Sequence, residues 1–274
     1  MIIPASKNAT QLTAFLQRVM LLDASQANAR MTAELVKGLG AGRIYTETAE
    51  AAALETCREV EPKLIITELA GPGFDGLRFV KTLRRSRLPC RAAPVIMVTA
   101  EATAATIVGA RNAGVHEFLR KPFAIRDLSR RMEAVLLTRR DWIEAVNYIG
   151  PDRRRFNSGE YQGPRKRQAD QAADEEARRI EQALKILKSA LSAVGSDPEQ
   201  ARRSLQAQAQ DLHGVAVRTN DLKLMAAVAP LQRAMIAIGE AGPLSRPSLE
   251  AAAAAAGLWA FAPAESADPS RVAI

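Results

Sequence analysis

The chain has 274 residues, 47% hydrophobic and 25% charged, with a formal net charge of +8. That is an ordinary globular balance with enough apolar material for a real core, and the excess of cations favours acidic partners without naming one. Two cysteines (Cys57, Cys90) and two histidines (His116, His213) in unrelated contexts exclude a metal-spaced cluster and suggest a reducing, cytoplasmic setting. The N-terminal stretch lacks a basic region followed by an apolar one. The longest apolar run, Ala251 to Pro263, is too short to span a bilayer. A soluble chain without a membrane segment is expected.

From Arg18 short apolar runs alternate with amphipathic segments. Arg18 to Leu22 reads as a buried strand ending at Asp23, and Gln26 to Leu39 as a helix stopped by Gly40. A strand at Arg43 to Thr46 and a helix at Ala49 to Val60 follow, then a strand at Lys63 to Thr67 ending at Glu68. The turn Gly71-Pro72-Gly73 leads into a helix from Asp75 to Arg85. Pro94 to Val98 is a fourth strand ending at Thr99, and a helix runs from Ala102 to Asn112. His116 to Leu119 is a fifth strand, followed by Lys121-Pro122 and a helix from Ile125 to Leu137. Alternating strands and helices predict an α/β fold, a doubly wound five-stranded parallel sheet with helices on both faces. Ligand sites in such sheets lie beyond the carboxyl ends of the strands, which here carry Asp23, Glu68, Thr99 and Lys121.

After Thr138 the composition changes. Between Arg139 and Gln168 eight cations, among them Arg153, Arg154 and Arg155, stand against four acids. Gly150, Pro151, Gly159, Gly163 and Pro164 argue for a basic linker. Beyond Asp170 an apolar stripe of Ile180, Leu184, Leu187 and Leu191 predicts a helix. Ser196-Asp197-Pro198-Glu199 caps a second one, and Leu222 to Ile238 makes a third that Pro230 should kink or split. Glu250 to Phe261 would be a fourth. The reading is an N-terminal tail (1–17), the α/β domain (18–138), the linker (139–169), a small all-helical C-terminal module (170–262) and a disordered tail (263–274).

Four pieces together carry a resemblance: Leu-Leu-Asp23, Glu68-Leu-Ala-Gly-Pro72-Gly-Phe-Asp75-Gly76, Val98-Thr99-Ala100-Glu101 and Arg120-Lys121-Pro122-Phe123. In order and spacing, from Arg18 to Thr138, they resemble the CheY-like receiver family of two-component signalling. The resemblance implies a magnesium site of two adjacent acids after the first strand and an aspartate after the third, the aspartate accepting a phosphoryl group from a histidine kinase. A hard cation there wants oxygen ligands and neutralises the moving phosphoryl group. It further implies that Lys121 contacts phosphoryl oxygens, that the Thr99 hydroxyl hydrogen-bonds to them, and that Phe118 is the aromatic switch.

Two positions depart from the pattern. Asp23 matches the first acid, but the second is Ala24, and the phosphoacceptor position holds Glu68. Losing a carboxylate weakens Mg²⁺ binding, leaving Asp23 and Glu68 as weak ligands. The extra methylene of Glu68 moves its carboxylate by ~1.5 Å, and misplacement of about that size costs on the order of 100-fold in a positioned reaction. Glu68 is then an inert replacement paired with Lys121, a partial mimic of the phosphorylated state reaching Lys121 and Thr99, or a residual phosphoacceptor.

Arg126, Arg130, Arg131, Arg139 and Arg140 form a basic helix that is either a solvated face or a docking face. In the family the surface of helix 4, strand 5 and helix 5 docks partners or forms homodimers. The Gly-Pro-Asp-Arg-Arg-Arg stretch from Gly150 resembles an element in tails of some bacterial signalling proteins. Arg153, Arg154 and Arg155 suit anion contacts, and Tyr148 and Phe156 could stack on bases. No helix-turn-helix follows, so nucleic acid is not the expected partner and a flexible tether is the plainer reading. His213 resembles the histidine of a phosphotransfer bundle over a few residues only, and a lone helical histidine is usually structural. No nucleotide fingerprint or catalytic triad marks an enzyme.

The expectation is a response-regulator-like protein of a bacterial phosphorelay, acting as a phosphorylation-independent adaptor. Its partners would be a histidine kinase, phosphotransferase or output protein. The alternatives are a conventional regulator phosphorylated at Glu68 or a nearby acid, and a nucleotide or nucleic-acid binder acting through the arginine-rich linker.

Overall fold

A computed structural model describes residues 12, 13, 15–138, 140–153, 168–240, 242–255 and 257–262, with side chains from 175 onward in the helix that begins at Gln168. They divide into two units, the second taking residues Glu144–Asn147 together with the C-terminal helices.

The first unit is built from β1 (Arg18–Leu22), α1 (Gln26–Gly38), β2 (Arg43–Glu47), α2 (Glu50–Val60), β3 (Leu64–Glu68), α3 (Gly76–Arg85), β4 (Val95–Thr99), α4 (Ala104–Ala113), β5 (Glu117–Arg120) and α5 (Ile125–Leu136). The five strands are parallel, in the order β2-β1-β3-β4-β5. Because successive side chains on a strand point to opposite faces, each central strand feeds two cores. Met20, Leu22, Ile65, Met97 and Phe118 face α2, α3 and α4 through Cys57, Phe79, Leu83 and Ala110. Val19, Leu21, Ile66, Ile96 and Leu119 face α1 and α5 through Val36, Leu128 and Met132. Strands buried on both sides explain the uninterrupted apolar runs, whereas edge strand β2 (Arg-Ile-Tyr-Thr-Glu) is only partly covered. Strand order reverses between β1 and β3, so the crevice beyond their carboxyl ends opens beside Asp23 and Glu68.

The unit extends past the expected boundaries at both ends. Leu12 and Leu16, assigned to a tail by sequence, are buried in the second core cluster. The expected linker is structured over 140–153, where β6 (Trp142–Glu144) and β7 (Ile149–Pro151) form a two-stranded sheet. The glycine and proline that argue for a loop permit a close approach instead. Gly150 (φ 157°) lies so near Gly114 that a Cβ on Gly150 would stand 2.8 Å from the Gly114 Cα. Tyr148 and Ile149 are buried beside it, and the Tyr148 hydroxyl donates to the Pro151 carbonyl at 2.5 Å. The remainder of that stretch lies outside the described residues.

The arginines here satisfy buried acceptors. Arg84, 1% exposed, donates to the Gly114 carbonyl at 2.9 and 3.1 Å, to Ala93 at 2.9 Å and to the Arg91 carbonyl, and it stacks 5.3 Å from the Trp142 ring. Burial pushes its pKa down to about 10, still charged at neutral pH. His116 accepts the Val95 N–H at Nδ1 (3.2 Å), and burial, then Arg84 and Arg140, hold its pKa well below the ordinary histidine value. Glu117, 1% exposed, pairs with Arg131 at 3.0 Å and with Arg140. The expected basic face therefore loses Arg131 and Arg140 to an internal acid, and Arg126 and Arg130 stay exposed. Arg139 is outside the described residues.

The second unit comprises α6 (Gln168–Ser192), α7 (Pro198–Thr219), α8 (Leu222–Ile238) and α9 (Arg246–Ala255), with a 3₁₀ turn at Leu258–Phe261. Leu184, Leu187 and Leu191 of the expected stripe are buried against Leu205, Leu212, Val228 and Leu231, with Ile180 at the edge. Asp197 caps α7 by accepting the Gln200 N–H at 3.2 Å, with Pro198 in its first turn. Pro230 does not split α8. Leu224, Val228, Leu231 and Met235 keep one buried face across it, and that packing outweighs one missing backbone donor. The last helix begins at Arg246 and ends at Ala255, earlier than expected at both ends, because Gly257 (φ 70°) turns the chain into the 3₁₀ segment. Glu144 joins this unit through Gln200 Nε2, which donates to Glu144 Oε1 at 3.0 Å. No helix among the described residues is long and apolar enough to cross a membrane.

Two outcomes are expected from urea unfolding followed by Trp142 fluorescence in a Trp259→Phe background. Replacing Arg131 and Arg140 together by Ala strands the Glu117 charge and lowers stability by about 3–5 kcal/mol, whereas Ala at both Arg126 and Arg130 changes it by less than about 0.5 kcal/mol per site. The depressed pKa of His116 means that the unfolded chain binds its proton first as pH falls. Stability is therefore full above the ordinary histidine pKa of about 6.5 and declines below it, by up to about 1.4 kcal/mol per pH unit. His116→Asn, which keeps an acceptor for Val95, flattens that decline.

Candidate functional site

Parallel register brings the strand ends together: Leu22 lies beside Thr67, Glu68 beside Val98, and Thr99 beside Arg120. Asp23, Glu68, Thr99 and Lys121 follow or end these strands. Asp23 is buried, and its Oδ1 accepts the Ser25 N–H at 2.9 Å, a local turn that sets up Ser25 as the α1 cap. Glu68 Oε1 accepts the Leu69 N–H at 2.9 Å, which turns its carboxylate back over the strand end. The chain then passes through Ala70–Gly71, paired with Phe74–Asp75, into α3. Asp75 caps that helix by accepting the N–H groups of Leu77 and Arg78. Gly76 is required at this junction: a Cβ would lie 2.0 Å from the Glu68 carbonyl oxygen.

The Lys121 ammonium occupies the centre. It donates to Asp23 Oδ2 at 3.0 Å and to Glu68 Oε2. All three side chains are mostly buried, with 12–16% of their surface exposed. Burial acts to lower the Lys121 pKa, but the hydrogen bonds to Glu68 and Asp23 outweigh it, so the ammonium is held above its ordinary value. Two carboxylates and one ammonium leave a single net negative charge in the pocket.

Of the remaining expected residues, Thr99 is buried and its hydroxyl accepts the Glu101 N–H at 3.1 Å, which ties it to the following loop. Phe118 is packed in the α2–α4 core cluster. Ala24 packs against that same cluster, so tightly beside Gly71 that a Cβ on Gly71 would come within 2.5 Å of the Ala24 methyl. Arg153 is drawn into the first unit, over the Tyr148 ring at 4.3 Å and bonded to Asn112 Oδ1 at 3.0 Å. Arg154 and Arg155 lie outside the described residues. His213, on α7, has its Nδ1 buried without a hydrogen-bond partner. The feature that sequence reasoning missed is the double role of Lys121, for which the Glu68 reach towards Lys121 was the available signal.

The residues present do not fit a resident magnesium ion. Asp23 and Glu68 supply carboxylate oxygens, yet both face an ammonium, and a divalent cation would meet a like charge there. No group of three or more His, Cys, Asp or Glu side chains among the described residues is placed to share a metal.

Removing the ammonium alone exposes two buried carboxylates to each other. Lys121→Met is expected to cost about 3 kcal/mol at pH 7, with the deficit relative to the native chain shrinking towards pH 5 as one carboxyl takes up a proton. Lys121→Met with Glu68→Gln recovers most of the loss at pH 7. Urea titrations at the two pH values check both statements.

The response regulator receiver domain model matches residues 19–133. The KDP operon transcriptional regulatory protein KdpE of Escherichia coli (strain K12) is 31% identical over 118 residues, which cover 43% of this chain and 50% of KdpE. Chemotaxis protein CheY-3 of Vibrio cholerae is 25% identical over 118 residues, 43% of this chain and 90% of CheY-3. Among solved structures, a putative response regulator from Chloroflexus aurantiacus J-10-fl aligns at 24% identity and a TM-score of 0.42, covering 44% of this chain and 98% of its own. The match thus spans about half the length of KdpE. With the five parallel strands and the residues at their carboxyl ends, it makes residues 19–133 of this chain a receiver domain of the response-regulator family.

Proposed function

We propose that this receiver works without phosphorylation, as an adaptor in two-component signalling that acts through protein–protein contact. Receiver domains interact with kinases, phosphotransferases and output domains, and they typically bind Mg²⁺ at a phosphorylated aspartate. The observation that carries the proposal is the Lys121 ammonium lodged between Asp23 and Glu68. In the family the lysine pairs with phosphoryl oxygens. Here a carboxylate of the chain itself engages it, and Ala24 contributes no metal ligand.

Glu68 carries about one negative charge against nearly two for a phosphoryl group, so it engages Lys121 without matching the phosphorylated state. The pocket therefore supports a single standing state, set by the ion triad, in preference to a kinase-driven switch. Exposed Arg126 and Arg130 on α5 favour a partner with an acidic surface.

The test is intact mass after incubation with acetyl phosphate and Mg²⁺, for the native chain beside an Ala24→Asp/Glu68→Asp double variant. The expected result is an unchanged native mass and a phosphoryl gain on the variant. A phosphoryl group mapped to Glu68 of the native chain would instead establish the conventional phosphorelay reading.

A further inference from the structure

At the opposite end of the sheet from Lys121, the only two cysteines of the chain come together. Cys57 lies in the last turns of α2, and Cys90 in a 3₁₀ turn (Pro89–Ala92) that leads towards β4. The Cys90 thiol donates to the Cys57 carbonyl oxygen at 3.3 Å, and the Cys57 thiol donates to Met20 Sδ at 3.6 Å. Both thiols are free and buried.

Their surroundings differ in a way that assigns roles. Cys90 lines a cavity of about 260 Å³ bounded by Glu61, Pro62, Lys63, Pro89 and Pro94, whereas Cys57 is not part of its wall. A cavity of that size has room for several molecules as small as water, at about 30 Å³ each. The neighbouring Cys57 thiol, which would donate to a Cys90 thiolate, works against burial and holds the Cys90 thiol below its ordinary pKa, while the opposing charges of Glu61 and Arg84 pull it up and down respectively. The same interaction, together with burial, raises the Cys57 thiol. Arg84 also anchors the turn, donating to the carbonyls of Arg91 and Ala93 on either side of its end. Access from outside and a lowered pKa mark reactive cysteines, whereas structural buried ones are inert.

We propose that Cys57 and Cys90 form a peroxide-responsive dithiol, with Cys90 the residue first oxidised and Cys57 the resolving thiol. The oxidant is hydrogen peroxide or a small alkyl hydroperoxide entering the cavity. The Cys90 thiolate sulfur attacks one peroxide oxygen and the O–O bond breaks. The other oxygen leaves with a proton as water, or as the alcohol from an alkyl hydroperoxide, and Cys90 becomes a sulfenic acid. Cys57, giving up its proton, then attacks the Cys90 sulfur. The S–O bond breaks, a water leaves, and the disulfide remains. The two thiols lose two electrons and the peroxide gains them.

The test uses the full chain, reduced and then treated with hydrogen peroxide, followed by N-ethylmaleimide in denaturant, intact mass and peptide mapping. The native chain is expected to lose two hydrogens, take up no maleimide and yield one Cys57–Cys90 cross-linked peptide, all reversed by dithiothreitol. Cys57→Ser stops at a sulfenic acid that dimedone traps on Cys90, and Cys90→Ser leaves Cys57 unmodified at the same peroxide concentration. Two maleimides on the peroxide-treated native chain, a disulfide between chains, or dimedone on Cys57 would overturn the proposal. The native-chain measurement stands without either variant, so a serine substitution that misfolds does not remove the test.

Discussion

Asp23 and Glu68 end neighbouring strands, and two buried carboxylates so placed repel each other unless a cation lies between them. Lys121 is that cation, delivered from the end of β5 across the sheet. The positions of three strand ends are thereby coupled through a single ammonium group. The local turns at Asp23–Ser25 and at Glu68–Leu69 orient the carboxylates towards it. One ammonium facing two carboxylates leaves a single net negative charge, and this internal pairing is the observation on which the proposed standing state rests.

The opposite end of the domain is also held by buried charge. Arg84 satisfies carbonyls at the end of the 3₁₀ turn and at Gly114, Arg140 and Arg131 converge on Glu117, and Trp142 stacks on Arg84. A charge taken out of water must find partners of good geometry, and these arginines find them mainly in backbone carbonyls and one acid. The consequence is that residues 140–143 and 148–153 belong to the first unit's own structure. The pinned turn also carries Cys90, at the end of the sheet opposite Lys121.

Much of the fold is legible in the residues. Runs such as Val19-Met20-Leu21-Leu22 and Val95-Ile96-Met97-Val98 have no polar alternation, which only a strand covered on both faces tolerates. Asp75, Asp197 and Gly114 mark helix ends through short-range chemistry that needs no tertiary context. The stretch after Thr138 was misleading because glycine, proline and arginine are loop signals on average. What decides their role is whether a close neighbour such as Gly114, or a buried acceptor such as Glu117, is waiting elsewhere in the chain. Pro230 misled as to a split: its local cost is real, but buried side chains on one face of α8 keep the helix continuous across it.

By itself the sequence determined the strand–helix alternation, the order of the strand-end residues and the two departures at Ala24 and Glu68, since each is a matter of local pattern or side-chain identity. Only the tertiary structure decided that Lys121 bridges Asp23 and Glu68 together, that Arg131 and Arg140 are spent on Glu117, and that Cys57 meets Cys90. These pairs are 98, 53, 14, 23 and 33 residues apart along the chain. Their meeting depends on strand register and on how helices seat against the sheet, and neither is written in any short stretch of residues.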